Sequence, residues 1–126
     1  KALELLLQKK CTLVDVYGGS GGEMDHYLGN LHVASKFVHL VEIHFYDAFA
    51  HYFFAPKKLI LPQVQGKIIS LFPFPLAKNI RTQGLQWELN GQDMEITQNM
   101  GIRNLAIVPE VKIQHDSGNL IVFVRK

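Results

Sequence analysis

The stretch Val41-Glu42-Ile43-His44-Phe45-Tyr46-Asp47-Ala48-Phe49-Ala50-His51-Tyr52-Phe53-Phe54 decides the fold class of this chain. Apolar and polar side chains alternate over residues 41–45 and again over residues 50–54, and Asp47-Ala48-Phe49 has the character of a turn. A period of two is the pattern of a half-buried β-strand. We therefore expect two short strands here, and no helix from residue 41 onward.

Downstream of this stretch, the chain continues as short apolar runs separated by turn residues. Strands are predicted over residues 67–72, 80–88, 94–98, 110–115 and 119–125. We expect Pro73 and Pro75 to end the first of these, because proline has no N–H to donate to a ladder. Asp116-Ser117-Gly118 is a hairpin signal and is expected to join the last two strands. Many short strands without helices indicate a β-sandwich or barrel.

Upstream, the first forty residues read as helix, strand and helix. Ala2, Leu3, Leu6 and Leu7 share one helical face, residues 12–17 are a short apolar run, and residues 22–40 have helical periodicity. A helix–strand–helix unit is typical of a parallel α/β sheet. The predicted fold class is therefore α+β, with a C-terminal fragment of an α/β domain in residues 1–40 and an all-β sandwich in residues 41–126.

Composition excludes several classes of protein. The net charge of the 126 residues is +2 and the basic residues are scattered, so no nucleic-acid partner is expected. No apolar run approaches the ~20 residues that span a bilayer, so no membrane partner is expected either. The single cysteine, Cys11, excludes an internal disulfide and a cysteine-based zinc site, which favours a reducing, cytoplasmic location. Because the chain begins without an initiator methionine, we expect a piece of a longer protein.

A glycine-rich loop, Gly18-Gly19-Ser20-Gly21-Gly22-Glu23-Met24-Asp25-His26, lies between the first predicted strand and the second helix. Bare backbone N–H groups in such a loop can bind phosphate, although Glu23 and Asp25 would repel it. Residues 18–22 also match the spacing of a nucleophile elbow, but the all-β chain that follows does not suit those enzymes. The six histidines lack the spacing of a zinc site and are interpreted as strand-surface and core-edge residues.

Two further positions have alternative interpretations. Trp87 is either a half-buried strand aromatic or a surface on which a ligand ring stacks. Arg103 and Asn104 follow a glycine, so they either complete a turn or supply hydrogen bonds at the rim of a pocket.

Three stretches together resemble the C-terminal portion of the thiamin pyrophosphokinase family. Residues 18–31 are similar to its Gly-Gly-Arg-Xaa-Asp-His motif followed by Asn-Leu, and residues 69–73 to its Ser-Leu-Phe-Pro strand. Residues 84–89 and 101–104 are similar to its Gly-Leu-Lys-Trp and Thr-Ser-Asn elements. Their order and approximate spacing match over nearly the whole chain.

The resemblance implies an enzyme that uses Mg²⁺ to transfer pyrophosphate from ATP to thiamin. It also implies a homodimer in which each subunit has an α/β nucleotide-binding domain and a thiamin-binding β-sandwich. Its site residues would be Asp25 as the catalytic residue, the loop Gly18, Gly19, Ser20, Gly21 and Gly22 for phosphate, and Trp87, Arg103 and Asn104 for thiamin.

The sequence departs from the family pattern at two site positions and in its metal ligands. Glu23 stands where the family has arginine, and Arg103 where it has serine. No Asp-Xaa-Asp occurs, so no metal ligand is assigned in this chain and Mg²⁺ is expected to be bound mainly by residues outside it. We therefore expect the chain alone to be inactive. The alternative is a non-catalytic β-sandwich that binds a thiamin-like ligand or serves dimerisation.

Overall fold

The computed structural model of the protein describes residues 2–18, 24–98 and 101–126. These residues form two helices and nine strands and are therefore mostly β-structure. In chain order the elements are α1 (Ala2–Gln8), β1 (Leu13–Tyr17), α2 (Met24–Ser35), β2 (Glu42–Tyr46), β3 (Ala50–Phe54), β4 (Lys58–Leu61), β5 (Ile68–Gln83), β6 (Asn90–Glu95), β7 (Gly101–Leu105), β8 (Val111–Gln114) and β9 (Ser117–Arg125).

The chain divides into two compact units, Lys1–Phe54 and Ala55–Lys126. Strands β2 and β3 therefore group with the preceding helices, whereas the alternating pattern placed a boundary near residue 40. The assignment of residues 1–40 and 41–126 to two functional domains stays a prediction.

The first unit contains a mixed three-stranded sheet. Strand β1 is parallel to β2, and β2 is antiparallel to β3. The Asp47 carboxylate closes the turn between β2 and β3, because its Oδ1 accepts the backbone N–H groups of Phe49 and Ala50 at 2.7 Å each. The two strands and the turn predicted from the alternating stretch are confirmed.

Helix α2 is shorter than predicted. The helix ends at Ser35, where residues 22–40 were expected to be helical. Among its described side chains Leu31 and Ala34 are buried, whereas Leu28 is exposed over half of its surface. A cavity of about 270 Å³ lies among α1, β1, α2 and β2, with Leu6, Val14 and Ala34 in its lining.

All described elements of the second unit are strands, and the prediction of an all-β second part is confirmed. Strand β5 is antiparallel to each of its four partners: residues 68–71 pair with β7, 76–81 with β6, 69–78 with β9 and 81–83 with β8. Strand β4 extends this network beyond β8. The strands therefore form one network through β5, and not two separately hydrogen-bonded sheets.

The prediction that Pro73 and Pro75 end a strand is wrong, because β5 continues to Gln83. On one edge of β5, pairing with β7 stops at Leu71 and pairing with β6 starts at Leu76. Both prolines lie in the interval between these two partners. A missing N–H there leaves no ladder bond to β6 or β7 open. The strand therefore continues past the prolines, although its pairing with β9 on the other edge is interrupted between Pro73 and Ala77.

The hairpin predicted at Asp116-Ser117-Gly118 is also wrong. Strands β8 and β9 do not pair with each other; both run antiparallel to β5 along the same edge, opposite β6 and β7. Arg81 faces Gln114 and Lys78 faces Ser117, so the register continues across the break. The turn residues serve this junction, where the Asp116 carboxylate accepts hydrogen bonds from Asn79 and Arg81.

Two other strand predictions are displaced. The strand expected over residues 80–88 ends at Gln83 as the last part of β5, and residues 84–89 form a loop. The strand expected over residues 94–98 lies at Asn90–Glu95 instead.

Gly118 offers a test of the close approach between β9 and β5. A Cβ there would lie 2.2 Å from the carbonyl oxygen of Leu76, whereas a Cβ at Gly66 would meet no described atom within 4 Å. The two glycines have nearly equal φ angles of +83° and +85°. A left-handed conformation costs an L-residue roughly 1–2 kcal/mol at either position.

We therefore expect Gly118→Ala to lower the free energy of unfolding by at least ~3 kcal/mol and Gly66→Ala by only ~1–2 kcal/mol. Urea unfolding followed by the fluorescence of Trp87, the only tryptophan in the chain, measures both. Equal losses in the two variants would contradict the close approach.

Candidate functional site

The segment between β5 and β6, residues 84–89, is named here the Trp87 loop. The loop lies outside both strands, yet most of its backbone N–H groups have acceptors. The N–H of Gln86 donates to the Leu105 carbonyl oxygen at 2.8 Å. Four other N–H groups of the loop, those of Gly84, Leu85, Trp87 and Leu89, donate to side-chain oxygens. Three side chains, and not a strand ladder, therefore define most of the loop's backbone.

Asn104 on β7 is the first of these three side chains. Its Oδ1 accepts the backbone N–H of Trp87 at 3.1 Å and that of Leu105 at 2.9 Å, and its Nδ2 donates to the Trp87 carbonyl oxygen at 2.7 Å. The amide thus pairs with the Trp87 backbone in both directions. Asn104 is only 7% exposed, so these bonds satisfy a polar group that burial would otherwise penalise.

Glu88 and Thr82 close the loop from its other side. Glu88 Oε2 accepts the N–H of Gly84 at 2.9 Å, and Oε1 accepts the N–H of Leu85 at 3.0 Å and the hydroxyl of Thr82 at 2.7 Å. Thr82 Oγ1 in turn accepts the N–H of Leu89 at 2.9 Å. Hydrogen bonds to an ionised carboxylate are stronger than neutral ones, so the two ends of the loop are held together.

A β-bulge places Asn104 opposite the loop. Ile69 of β5 pairs with Asn104, and Leu71 pairs with Gly101, so β7 carries one more residue than β5 over this interval. Arg103 lies in the bulge with φ +59°, which is uncommon for a residue with a side chain. Its N–H donates to the hydroxyl of Ser70 at 2.8 Å. Bulges change the direction of a strand, and this one immediately precedes the amide that binds the Trp87 backbone.

Gly84 is required at the start of the loop. Its φ is +106°, and a Cβ would lie 2.6 Å from Cγ2 of Val108. Its carbonyl oxygen accepts the N–H of Ile107 at 2.9 Å. The chain therefore turns out of β5 at a position that only glycine occupies without strain.

Trp87 itself is 61% exposed. A tryptophan usually buries most of its indole, and this one presents an aromatic surface beside a buried amide. Such a surface can stack on a flat ring or contact a cation. The structure thus brings two of the predicted site residues, Trp87 and Asn104, into direct contact, and places Arg103 next to them.

Ser70, Thr82 and Glu88 belong to this constellation but were not among the predicted site residues. Ser70 was visible in the sequence only as part of a strand motif. For Glu88, the signal was a carboxylate four residues after a glycine, which is too common to be specific.

The residues predicted for phosphate and catalysis lie in the first unit. Asp25 is exposed in the first turn of α2, where the helix dipole favours a negative charge. Gly18 has a positive φ of +74°. Gly19, Ser20, Gly21, Gly22 and Glu23 lie outside the described residues, so the phosphate-loop assignment stays a prediction.

The histidines of the first-unit sheet interact with one another. His44 Nδ1 lies 2.7 Å from His51 Nε2, and His44 Nε2 lies 2.8 Å from Glu42 Oε1. Burial, followed by the nearby His44, lowers the pKa of His51 below its usual value. Over residues 2–18, 24–98 and 101–126, no group of three or more His, Cys, Asp or Glu side chains is arranged to hold a metal ion.

This chain matches a protein family and several solved structures, but no curated protein sequence. Residues 57–120 match the family described as "Thiamin pyrophosphokinase, vitamin B1 binding domain". No curated protein sequence matches this chain significantly.

In the part of the chain that the structure describes, no helix is long and apolar enough to cross a membrane.

Several solved structures share the fold. Thiamine pyrophosphokinase from Bacillus subtilis is 24% identical with a TM-score of 0.88, and the alignment covers 99% of this chain and 61% of that one. The enzyme from Geobacillus thermodenitrificans is 17% identical with a TM-score of 0.86, covering 99% and 59%. That from Candida albicans is 12% identical with a TM-score of 0.76, covering 91% and 44%. The chain thus spans about three fifths of the length of the two bacterial proteins.

Removal of the Asn104 amide tests its contact with Trp87. Asn104→Ala leaves two backbone N–H groups and one carbonyl oxygen without their partner, which costs roughly 1–3 kcal/mol of stability. We expect a lower steady-state fluorescence anisotropy of Trp87 and an unfolding free energy reduced by about that amount. Asn90→Ala, at an exposed asparagine, is the matched control. Wild-type anisotropy in Asn104→Ala would show that the amide does not order the loop.

Proposed function

This chain belongs to the thiamin pyrophosphokinase family, and we propose that it supplies the thiamin-binding part of an enzyme that forms thiamin diphosphate. In the proposed reaction the hydroxyl oxygen of thiamin bonds to the β-phosphorus of ATP. The bond between that phosphorus and the α,β-bridging oxygen breaks, and AMP leaves. The proton of the hydroxyl passes to a base.

The observation that carries this proposal is the exposed indole of Trp87, whose backbone is held by the buried amide of Asn104. Both residues lie inside the segment that matches the vitamin B1 binding domain. Thiamin contains an aminopyrimidine ring and a positively charged thiazolium ring. The face of an indole suits both, because it stacks on flat rings and attracts a cation.

We assign thiamin contacts to Trp87, Asn104 and Arg103. Trp87 packs against a thiamin ring. The described contacts of Asn104 use Oδ1 twice and Nδ2 once, so a second Nδ2 hydrogen is available to orient the ring. Arg103 lies at the rim, with its backbone tied to Ser70.

The catalytic and nucleotide-binding roles are proposed for the first unit. Asp25 accepts a hydrogen bond from the thiamin hydroxyl or helps to hold the metal, and the loop Gly18–Gly22 binds phosphate. The metal would be Mg²⁺, which neutralises charge on the transferred group when bound. No group of three or more His, Cys, Asp or Glu side chains among the described residues is arranged to hold it, so we propose that residues outside this chain supply most of the Mg²⁺ ligands. We further propose that the enzyme is a cytoplasmic homodimer.

A second candidate is a module that binds thiamin without catalysing transfer, or that serves only dimerisation. The family match covers the vitamin-binding segment alone, and the described residues lack a metal cluster, which favours this candidate for the isolated chain. Thiamin binding without binding of ATP–Mg²⁺ would support the binding module. Dimers that bind neither thiamin nor ATP–Mg²⁺ would support a purely structural role.

The contribution of the Trp87 indole to thiamin binding can be measured by substitution. Trp87→Ala is expected to weaken thiamin binding by about 2- to 30-fold, since a cation–π or stacking contact contributes ~0.5–2 kcal/mol. Trp87→Phe retains a ring and is expected to lose less. Isothermal calorimetry measures the affinities, with Phe49→Ala as the control at another exposed aromatic. Equal affinities in wild type and Trp87→Ala would exclude Trp87 from the site.

Catalysis by the chain alone can be tested directly. We expect no release of AMP when the 126-residue chain is mixed with ATP, Mg²⁺ and thiamin, because the described residues contain no group of three or more side chains arranged to hold the metal. A coupled assay for AMP, with a complete thiamin pyrophosphokinase as the positive control, makes the measurement. Sustained turnover by the chain alone would refute the prediction.

A further inference from the structure

We infer that Thr82 and Glu88 are positioning residues for thiamin, which act by holding the Trp87 loop in the conformation that binds. The inference rests on the proposed function, in which Trp87 contacts thiamin. Neither residue is among the site residues that the resemblance to the family implies, and neither needs to touch the ligand to have this effect.

The orientation of Trp87 depends on the loop backbone and not on core packing. Within the loop only Leu85 is fully buried, at 1% exposure, whereas Gln86 and Glu88 on either side of Trp87 are exposed. An exposed indole has few packing contacts to select one orientation. The hydrogen bonds of its own and neighbouring peptide groups therefore fix the backbone from which the ring projects.

Glu88 binds the first part of the loop back onto itself. It directly follows Trp87, and its carboxylate accepts the N–H groups of Gly84 and Leu85 at the loop's start. Both carboxylate oxygens face donors, so Glu88 cannot leave without exposing two peptide groups that have lost their acceptor. This arrangement fixes the chain on both sides of Trp87.

Thr82 connects the last residue of the loop to the same carboxylate. Its hydroxyl donates to Glu88 Oε1 at 2.7 Å and accepts the N–H of Leu89 at 2.9 Å. Its backbone N–H also donates to the Leu89 carbonyl oxygen at 2.9 Å. Thr82, Glu88 and Leu89 therefore form a closed hydrogen-bonded ring at the base of the loop.

A loop ordered before binding has less conformational entropy to lose when the ligand arrives. Glu88→Gln is a nearly isosteric probe of this effect. The amide retains one acceptor oxygen but replaces the other with an NH₂ donor. In either orientation that NH₂ faces the N–H of Gly84 or of Leu85, so one peptide group loses its acceptor.

The experiment compares Glu88→Gln, Thr82→Val and Thr82→Ser with wild type and with Glu110→Gln, a control at an exposed glutamate of the same unit. Two quantities are measured: the anisotropy of Trp87 fluorescence without ligand, and the Kd for thiamin by calorimetry. Far-UV circular dichroism and thermal unfolding establish that each variant is folded.

We expect Glu88→Gln to lower the anisotropy of Trp87 and to weaken thiamin binding about 10-fold. Thr82→Val should have the same two effects, because it removes the hydroxyl while keeping the branched shape. Thr82→Ser keeps the hydroxyl and should remain within about 2-fold of wild type. A purely structural role would lower the melting temperature without changing the anisotropy or the Kd of the folded variant.

The inference is overturned if folded Glu88→Gln and Thr82→Val match Glu110→Gln in both anisotropy and Kd. If Glu88→Gln does not fold, the milder Thr82→Val decides the matter by the same two measurements. If wild type gives no heat with thiamin, the proposed function fails and with it the role in thiamin binding. The anisotropies then still show separately whether Thr82 and Glu88 order the loop.

Discussion

The second unit depends on the hydrogen bonding of β5 to four other strands. This strand of 16 residues pairs along parts of its length with β7 and β6 on one edge and with β9 and β8 on the other. A shift of register in β5 would therefore move every one of these partners. The Trp87 loop follows the last residue of β5, and Asn104 pairs with Ile69 near its start. The same strand thus determines the relative position of both halves of the candidate site.

The candidate site combines a regular scaffold with an irregular loop. Strand ladders position Thr82 and Asn104, whereas the loop between them relies on side chains for its acceptors. Side-chain acceptors allow a backbone path that no ladder provides, and here that path leaves an indole 61% exposed. The cost is a set of polar groups that must remain paired, above all the buried amide of Asn104. Substitution of any one acceptor should therefore affect the whole loop.

Several features of the fold could be predicted from the sequence, and the failures have a common cause. The turn at Asp47 and strand β3 at Ala50–Phe54 follow from local alternation and a local carboxylate. By local preference alone, Pro73 predicts the end of a strand and Gly118 predicts a hairpin. Their effect depends instead on what lies opposite them: an interval between two partners for Pro73, and the Leu76 carbonyl for Gly118. A sequence pattern does not contain that information.

The amino-acid sequence by itself indicated a mostly β-stranded second part and membership of the thiamin pyrophosphokinase family, and it predicted Trp87 and Asn104 as site residues. These depend on composition, on periodicity and on the order of short motifs, all of which are local. Only the tertiary structure decided that Asn104 binds the backbone of Trp87 and that Thr82 and Glu88 close its loop. Asn104 and Trp87 are 17 residues apart. Whether their polar groups meet depends on the register of β5 and the bulge at Arg103, because a hydrogen bond requires its two atoms to lie within about 3 Å of each other.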